Sequence, residues 1–286
     1  MSDLDVELRE RYLPRTIPTD LYLCPDAKEL EGIRADNPEF RTELWTVDSF
    51  GPARAVILAD FLKKRAELPP ALDSSPALHL LQVPRALAGA LRDPHVRNLE
   101  GELRVHGDGI ADVSAIGSAP GVTHLGGYKI DLRFDARAFP ALRGLATWER
   151  NRKRLTKTFA ELPQLKALFL AAYKELFADV PPRLGFLQLL YGGIESLEGV
   201  SRLPKLEWLM IDRVNKLSSL DALRHHRGLR KVELTHCAAL EDVAALATCP
   251  KLQIVNVRYC KRLDEKGLAS LDEVLRARGG GLKIEV

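Results

Sequence analysis

The chain has 286 residues, 46% of them hydrophobic, and 42 basic residues stand against 39 acidic ones for a formal net charge of +3. That length and apolar content supply ample core, and the near balance of charge argues against a dedicated nucleic-acid binder. No run approaches the roughly 18 apolar residues of a membrane span, residues 1–10 are polar and acidic with no apolar signal-peptide core, and four cysteines in such a chain point to free thiols in a reducing compartment, so the cytoplasm is the expected location.

In chain order, residues 3–11 form a charged, helix-compatible stretch, and Pro14 and Pro18 interrupt the segment after it. Residues 42–47, Thr-Glu-Leu-Trp-Thr-Val, read as a strand. Residues 53–67 read as an amphipathic helix with Val56, Ile57, Phe61 and Leu62 inward, stopped by Pro69 and Pro70. Residues 84–92 read as a second short helix with Pro84 at its start. No repeat is visible across residues 1–95.

From residue 96 onward one spacing recurs about every 20 to 23 positions. Its clearest copies are Leu206-x-x-Leu209-x-Ile211, Leu229-x-x-Val232-x-Leu234 and Leu252-x-x-Val255-x-Val257, preceded by copies starting at Val122, Leu142, Leu165 and Leu184. A period in that range with this core pattern predicts a solenoid, in which each repeat buries its apolar face against its neighbours. A degenerate copy runs from Leu99 through Val105 to Ile116, and residues 282–286 make a last strand. Between strands, apolar residues fall every third position, as in Ile194, Leu197, Val200, Leu203, Leu206 and Leu209, or Leu217, Leu220 and Leu223. That period predicts 3₁₀ turns, whose i and i+3 side chains eclipse on one edge. Residues 265–278 differ: apolar positions 268, 271, 274 and 275 followed by three glycines predict a true helix with a glycine stop.

These units resemble bacterial leucine-rich repeats. The middle ones are similar to the short internalin-like kind. The last two, around His236-Cys237 and Cys249 to Cys260, are similar to the cysteine-containing kind. The resemblance covers residues 96–286. It implies an α/β solenoid: a horseshoe with a parallel sheet on its concave face and a mostly 3₁₀ or irregular convex side. Residues 1–95 then read as an N-terminal α/β capping region or a small separate domain, because a first coil exposes an apolar edge. The resemblance also implies protein binding as the usual activity. Two departures stand out. The first repeats are irregular, and the usual turn asparagine is replaced by Tyr173, Gly192, Val214, Cys237 and Cys260.

Motifs for chemistry are sparse. Cys237 and Cys260 sit one repeat apart, so they are expected to be reduced, buried neighbours on one ladder, strands being about 4.8 Å apart. Cys249 falls on the descending side and Cys24 stands alone, so no metal site or cofactor is expected. His225 and His226 read as a solvated turn, and the basic run 149–157 as a solvated loop. No catalytic or phosphate-binding motif occurs.

In the repeat core the leucines point inward, so alternation sends the flanking residues to the concave face. There the central strands carry Trp148, Phe169, Phe186, Leu190, Trp208 and Met210, with Asp212 at the end of the last of them, and the later ones carry Lys231, Glu233 and Arg258. Exposed apolar patches with tryptophan and methionine mark interaction sites. This strip is therefore the expected contact surface for a partner protein, with the apolar residues giving affinity and the charged ones selectivity. A monomer in an inhibitory or toxin-neutralising role would suit such a module. The competing reading is an enzyme or small-ligand binder with a pocket between the N-terminal region and the sheet, built on His124, Tyr128, Glu233 and His236.

Overall fold

In the computed structural model, which describes residues 2–13, 20–23, 54–58, 77–81, 91–92, 97, 100–148, 152–171, 173 and 180–285, the leucine spacing becomes strand register. Val232 lies opposite Leu209 and Val255, and Leu234 opposite Ile211 and Val257. All of these side chains are buried. The chain divides into two compact units, Arg9–Glu149 on one hand and Met1–Leu8 with Arg150–Val286 on the other.

The first unit holds β1 (Asp20–Leu23), β2 (Arg54–Leu58), β3 (Ala77–Leu81), β4 (Gly101–Asp112), β5 (Val122–Arg133) and β6 (Gly144–Thr147), each paired in parallel with the next. Two sequence readings are corrected here. Parallel pairing continues through the segment read as non-repeating, and residues 54–58 form a strand where a helix was expected. The consecutive β-branched pair Val56-Ile57 favours extended backbone, and neighbouring strands on both sides supply its ladder bonds. The strand expected at 42–47 lies outside the described residues, as do most of the helix expected at 84–92 and the remainder of the one at 53–67.

The second unit contains the first residues of α1 (Asp3–Tyr12), where Asp3 and Asp5 in the first turn and Arg9 and Arg11 in the last complement the helix dipole. It then runs α2 (Arg152–Glu161), β7 (Ala167–Ala171), β8 (Phe186–Leu190), β9 (Trp208–Asp212), β10 (Lys231–Thr235), α3 (Ala244–Ala247), β11 (Ile254–Arg258), α4 (Glu265–Ala277) and β12 (Gly281–Glu285). The strands β7 to β12 pair in parallel in chain order. The basic run is not a loop, since α2 takes up most of it. Residues 152–161 contain neither glycine nor proline and are rich in good helix formers.

The triplet rhythm is explained by its hydrogen bonds. Val200 N–H donates to Leu197 O at 2.8 Å, Leu203 N–H to Val200 O at 3.0 Å and Leu206 N–H to Leu203 O at 2.9 Å. Each is an i to i+3 bond, so every third side chain returns to the buried edge. The 3₁₀ segments Glu198–Arg202 and Asp221–Leu223 form in this way. The connections are not all of this kind, since α2 and α3 are α-helical, and so is the 13-residue α4, which begins at Asp264, whose carboxylate accepts from Gly267 N–H at 2.8 Å. It buries Leu268, Leu271 and Leu275 and stops before Gly279, at φ 73°.

His226 corrects another expectation: it is buried, whereas His225 is exposed. Its Nε2 lies 3.2 Å from Leu203 O, and its Nδ1 accepts from the N–H groups of Gly228 at 3.2 Å and Leu229 at 3.3 Å. That arrangement fixes the neutral tautomer with the proton on Nε2. Burial holds the imidazole pKa below its ordinary 6.5. The folded chain therefore resists a proton that the unfolded chain accepts. This contribution to stability is present above the unfolded pKa and is lost as pH falls from it toward the folded value. Urea unfolding at about pH 7.5 and about pH 5 should show lower stability in acid, with a shallower loss in His226→Gln. Equal acid loss in both proteins would remove His226 from the explanation.

Candidate functional site

The strand face opposite the leucine core is organised in three rows across the second unit. The first reads Ala167, Phe186, Trp208, Lys231 and Ile254; the second Phe169, Gln188, Met210, Glu233 and Asn256; the third Ala171, Leu190, Asp212, Thr235 and Arg258. The predicted alternation thus holds for the site residues on these strands. Trp148 is half-buried just beyond β6, in the other unit.

Exposure divides the face. Phe186 and Trp208 are fully buried, Lys231 is 1% exposed and Glu233 is buried. This corrects the expectation that the aromatic strip lies open. Phe169, Leu190, Met210 and Asp212 are half-buried, and Arg258 is exposed. The rings stack along the first two rows, with centroids 4.9 Å apart for Phe169 and Phe186 and 4.7 Å for Phe186 and Trp208.

A polar cluster closes this stack. Lys231 Nζ lies 4.1 Å from the Trp208 ring centroid, a cation–π contact. Glu233 Oε1 accepts from Trp208 Nε1 at 3.0 Å and pairs with Lys231 at 2.7 Å. From α1, Asp5 pairs with the same ammonium, and Glu7 takes Arg230 in a two-bond fork at 2.9 and 3.1 Å. Leu8 is fully buried beside them in sequence. Two of the ion pairs of this cluster thus come from α1, 223 and 226 positions away in sequence, which no local pattern announces.

Beyond the third row lies a feature the repeat pattern did not bring out. Tyr191, Arg213, His236 and Tyr259 occupy equivalent positions in four successive repeats with φ of 52°, 52°, 52° and 55°. Their N–H groups still bond to the next strand, to the carbonyls of Asp212, Thr235, Arg258 and Glu285 at 2.8–3.0 Å. Those bonds hold the backbone left-handed, a conformation disfavoured without glycine. Tyr191 and Tyr259 are 47% and 44% exposed. Arg213 stacks on Tyr191 at 5.2 Å and donates to its hydroxyl and to Asp212, each at 3.1 Å. His236 packs on Tyr259 with centroids 4.8 Å apart. The available sequence signal was one large residue at the same phase of each repeat. Within this area Asp212 Oδ1, His236 Nδ1 and Asn256 Oδ1 are buried atoms without a hydrogen-bond partner, an uncommon state for buried polar atoms.

The groups of the competing pocket reading are individually engaged. His124 Nδ1 lies 3.0 Å from Thr123 Oγ1, and its Nε2 lies 3.3 Å from Tyr12 O. Its ring fills the space that Gly144, opposite it on β6, leaves for want of a side chain. Glu233 is committed to Trp208 and Lys231, and the side chain of Tyr128 lies outside the described residues. A cavity of about 480 Å³ lies elsewhere, lined by Val257, Tyr259, Cys260, Leu268, Asp272 and Leu282 among others. Among the described residues no group of three or more His, Cys, Asp or Glu could hold a metal ion, and no helix is long and apolar enough to cross a membrane.

The thiols behave as their spacing predicts. Cys237, Cys249 and Cys260 are free and buried, and Cys237 N–H donates to Cys260 Sγ at 3.4 Å. A hydrogen bond from the Cys237 thiol, reinforced by that N–H, brings the Cys260 pKa down to about 7. The same pairing, followed by burial, pushes the Cys237 thiol up. Cys249 Sγ lies apart on the descending side, 3.1 Å from Leu223 O.

No family model matches the chain, and no curated protein matches it in sequence. Among solved structures it is similar to an internalin, InlF, from Listeria monocytogenes str. 4b F2365, at 16% identity over 93% of this chain and 68% of that one, with a TM-score of 0.47. It is also similar to the leucine-rich-repeat domain of the type III effector XopL, at 17% identity over 74% of this chain and 76% of that one, with a TM-score of 0.42. One parallel strand per leucine repeat, with 3₁₀ segments between β8 and β9 and between β9 and β10 and a short helix between β10 and β11, gives the chain the leucine-rich-repeat fold.

Proposed function

We propose that the chain is a protein-binding module, and that its second unit meets a partner protein through the open part of the strand face and the left-handed row along its edge. The row carries this reading. Four successive repeats keep a large residue, an exposed tyrosine at either end of the row, in a backbone conformation that disfavours side chains by about 1–2 kcal/mol each. The leucine core gains nothing from those exposed rings, and strain of this kind concentrates at functional sites. Tyrosine and arginine are also the residue types that dominate interface energetics. Leu190, Met210 and Phe169 add apolar area, and Asp212 and Arg258 add charge. The buried Phe186–Trp208–Lys231–Glu233 stack lies beside this surface on the same strand face. A cytoplasmic, monomeric inhibitor is the form of module we favour, with residues 1–95 capping the strands.

The test uses partners recovered from the source organism by cross-linking to the intact protein. Tyr191→Gly and Tyr259→Gly remove the rings and relieve the backbone, so the melting temperature should hold. Each should weaken binding by about 2 kcal/mol, roughly thirtyfold. Lys157→Ala, on the exposed side of α2, should bind as the parent does. Undiminished binding by both glycine variants would refute the proposal.

A further inference from the structure

We propose that the Trp208–Lys231–Glu233 site is a receptor for an acidic helix, that α1 fills it in cis, and that a partner protein carrying such a helix exchanges with α1. The inference rests on the strand face being the binding face. In a solenoid each repeat touches only its neighbours. The contacts of α1 with β10 break that rule, since Asp5 and Lys231 are 226 positions apart and Glu7 and Arg230 are 223. The repeat core of β9, β10 and β11 is complete without them, every leucine position there being filled by strand and turn residues.

The docking chemistry is that of a ligand. At about 100° per residue, Leu4 and Leu8 form one stripe of α1, and Asp5 and Glu7 flank it on opposite sides. Leu8 is buried, Leu4 half-buried, and the two carboxylates reach the adjacent cations Lys231 and Arg230. Lys231 keeps a partner when Asp5 leaves, because Glu233 remains 2.7 Å away. The site can therefore stand open without stranding a buried charge. A helix of ten residues is marginal in water on its own, so a released α1 loses its shape and reforms on docking. The recognised element is a helix with two carboxylates two positions apart, each beside a leucine stripe.

The probe is a fluorescent synthetic peptide with the sequence of residues 2–13, titrated against full-length protein. In the wild type the tethered α1 competes at a local concentration on the order of millimolar, so the peptide should bind weakly. The full-length variant Asp5→Lys/Glu7→Lys should bind it at least about tenfold more tightly, as an opened site does. A scrambled peptide of the same composition should not bind, and adding Lys231→Met to the variant should abolish binding. A folded variant that ignores the peptide, or that takes the scrambled peptide equally well, would overturn the proposal. Should the variant misfold, hydrogen exchange of the unaltered protein decides. Amides of α1 should exchange on the order of a hundredfold faster than those of β10 through local release. Equal protection would make α1 a permanent part of the core. Loss of partner binding in the Tyr191 and Tyr259 variants is read separately, so either idea can fail alone.

Discussion

Trp208→Ala should lower the stability of the protein by about 3–5 kcal/mol, the range for a large aromatic truncated inside a core. Trp208 is fully buried, although it stands on the face opposite the leucines. Its ring packs on Phe186 at 4.7 Å and carries Lys231 on its other contact at 4.1 Å. Truncation would leave a cavity between those two side chains. It would also take the Nε1–H donor from Glu233, a buried carboxylate that then relies on Lys231. For a chain of this size the melting temperature should fall by on the order of 10 °C. Trp208→Phe keeps the ring and loses the donor, so it should fall by less, about 1–3 kcal/mol. Thermal unfolding followed by circular dichroism measures both. A melting temperature within a degree or two of the parent for Trp208→Ala would mean that the site is solvated in solution.

The contrast with the sequence reading lies in what covers this tryptophan. Its orientation was legible: the residue before Leu209 must point away from the leucine core, and Trp208 does. Its burial was not. Periodicity reports which side of a strand a residue takes, whereas Asp5 and Glu7, which pair with Lys231 and its neighbour Arg230, arrive from the other end of the chain, beyond the reach of any spacing rule. The thiols show the opposite case. Cys237 and Cys260 are one repeat apart, and the repeat length alone made them neighbours. The 3₁₀ turns were equally legible, because a triplet of apolar residues has no competing explanation at that length. Residues 54–58 misled because Val56, Ile57, Phe61 and Leu62 satisfy helical spacing, while the strand ladder on either side settled the conformation. The left-handed row was visible as one bulky residue per repeat, but its meaning depends on φ, which a residue type such as tyrosine gives no reason to expect. His226 looked like a turn residue beside His225, and only the inward Leu203 carbonyl, to which it donates, and the N–H groups of Gly228 and Leu229, from which it accepts, reveal its structural role.

Removal of residues 265–286 should abolish cooperative unfolding of the C-terminal repeats. That segment supplies β12, whose five residues pair in register with β11, and α4, which buries Leu268, Leu271 and Leu275. It also supplies Arg278, which donates to the carbonyls of Cys249 at 2.7 Å and Ala247 at 2.8 Å and so ties the descending side of the Leu252 repeat. Without it β11 becomes an edge strand with an open row of backbone groups, a template for pairing with other chains. The three buried leucines alone contribute about 1.5–3 kcal/mol each, a sum comparable with the whole stability of about 5–15 kcal/mol typical of a folded protein. Because neighbouring repeats share one core, the loss should spread inward from Val255 and Val257. The truncated chain should therefore aggregate on expression, or unfold in denaturant with a shallower transition and an exposed apolar surface that binds a hydrophobic dye. A single change, Leu271→Asp, should act in the same direction by placing an unpaired carboxylate where a fully packed leucine stood. A soluble truncation that melts at the parent temperature would show the segment to be a tail, and the repeats up to Cys260 to be complete without it.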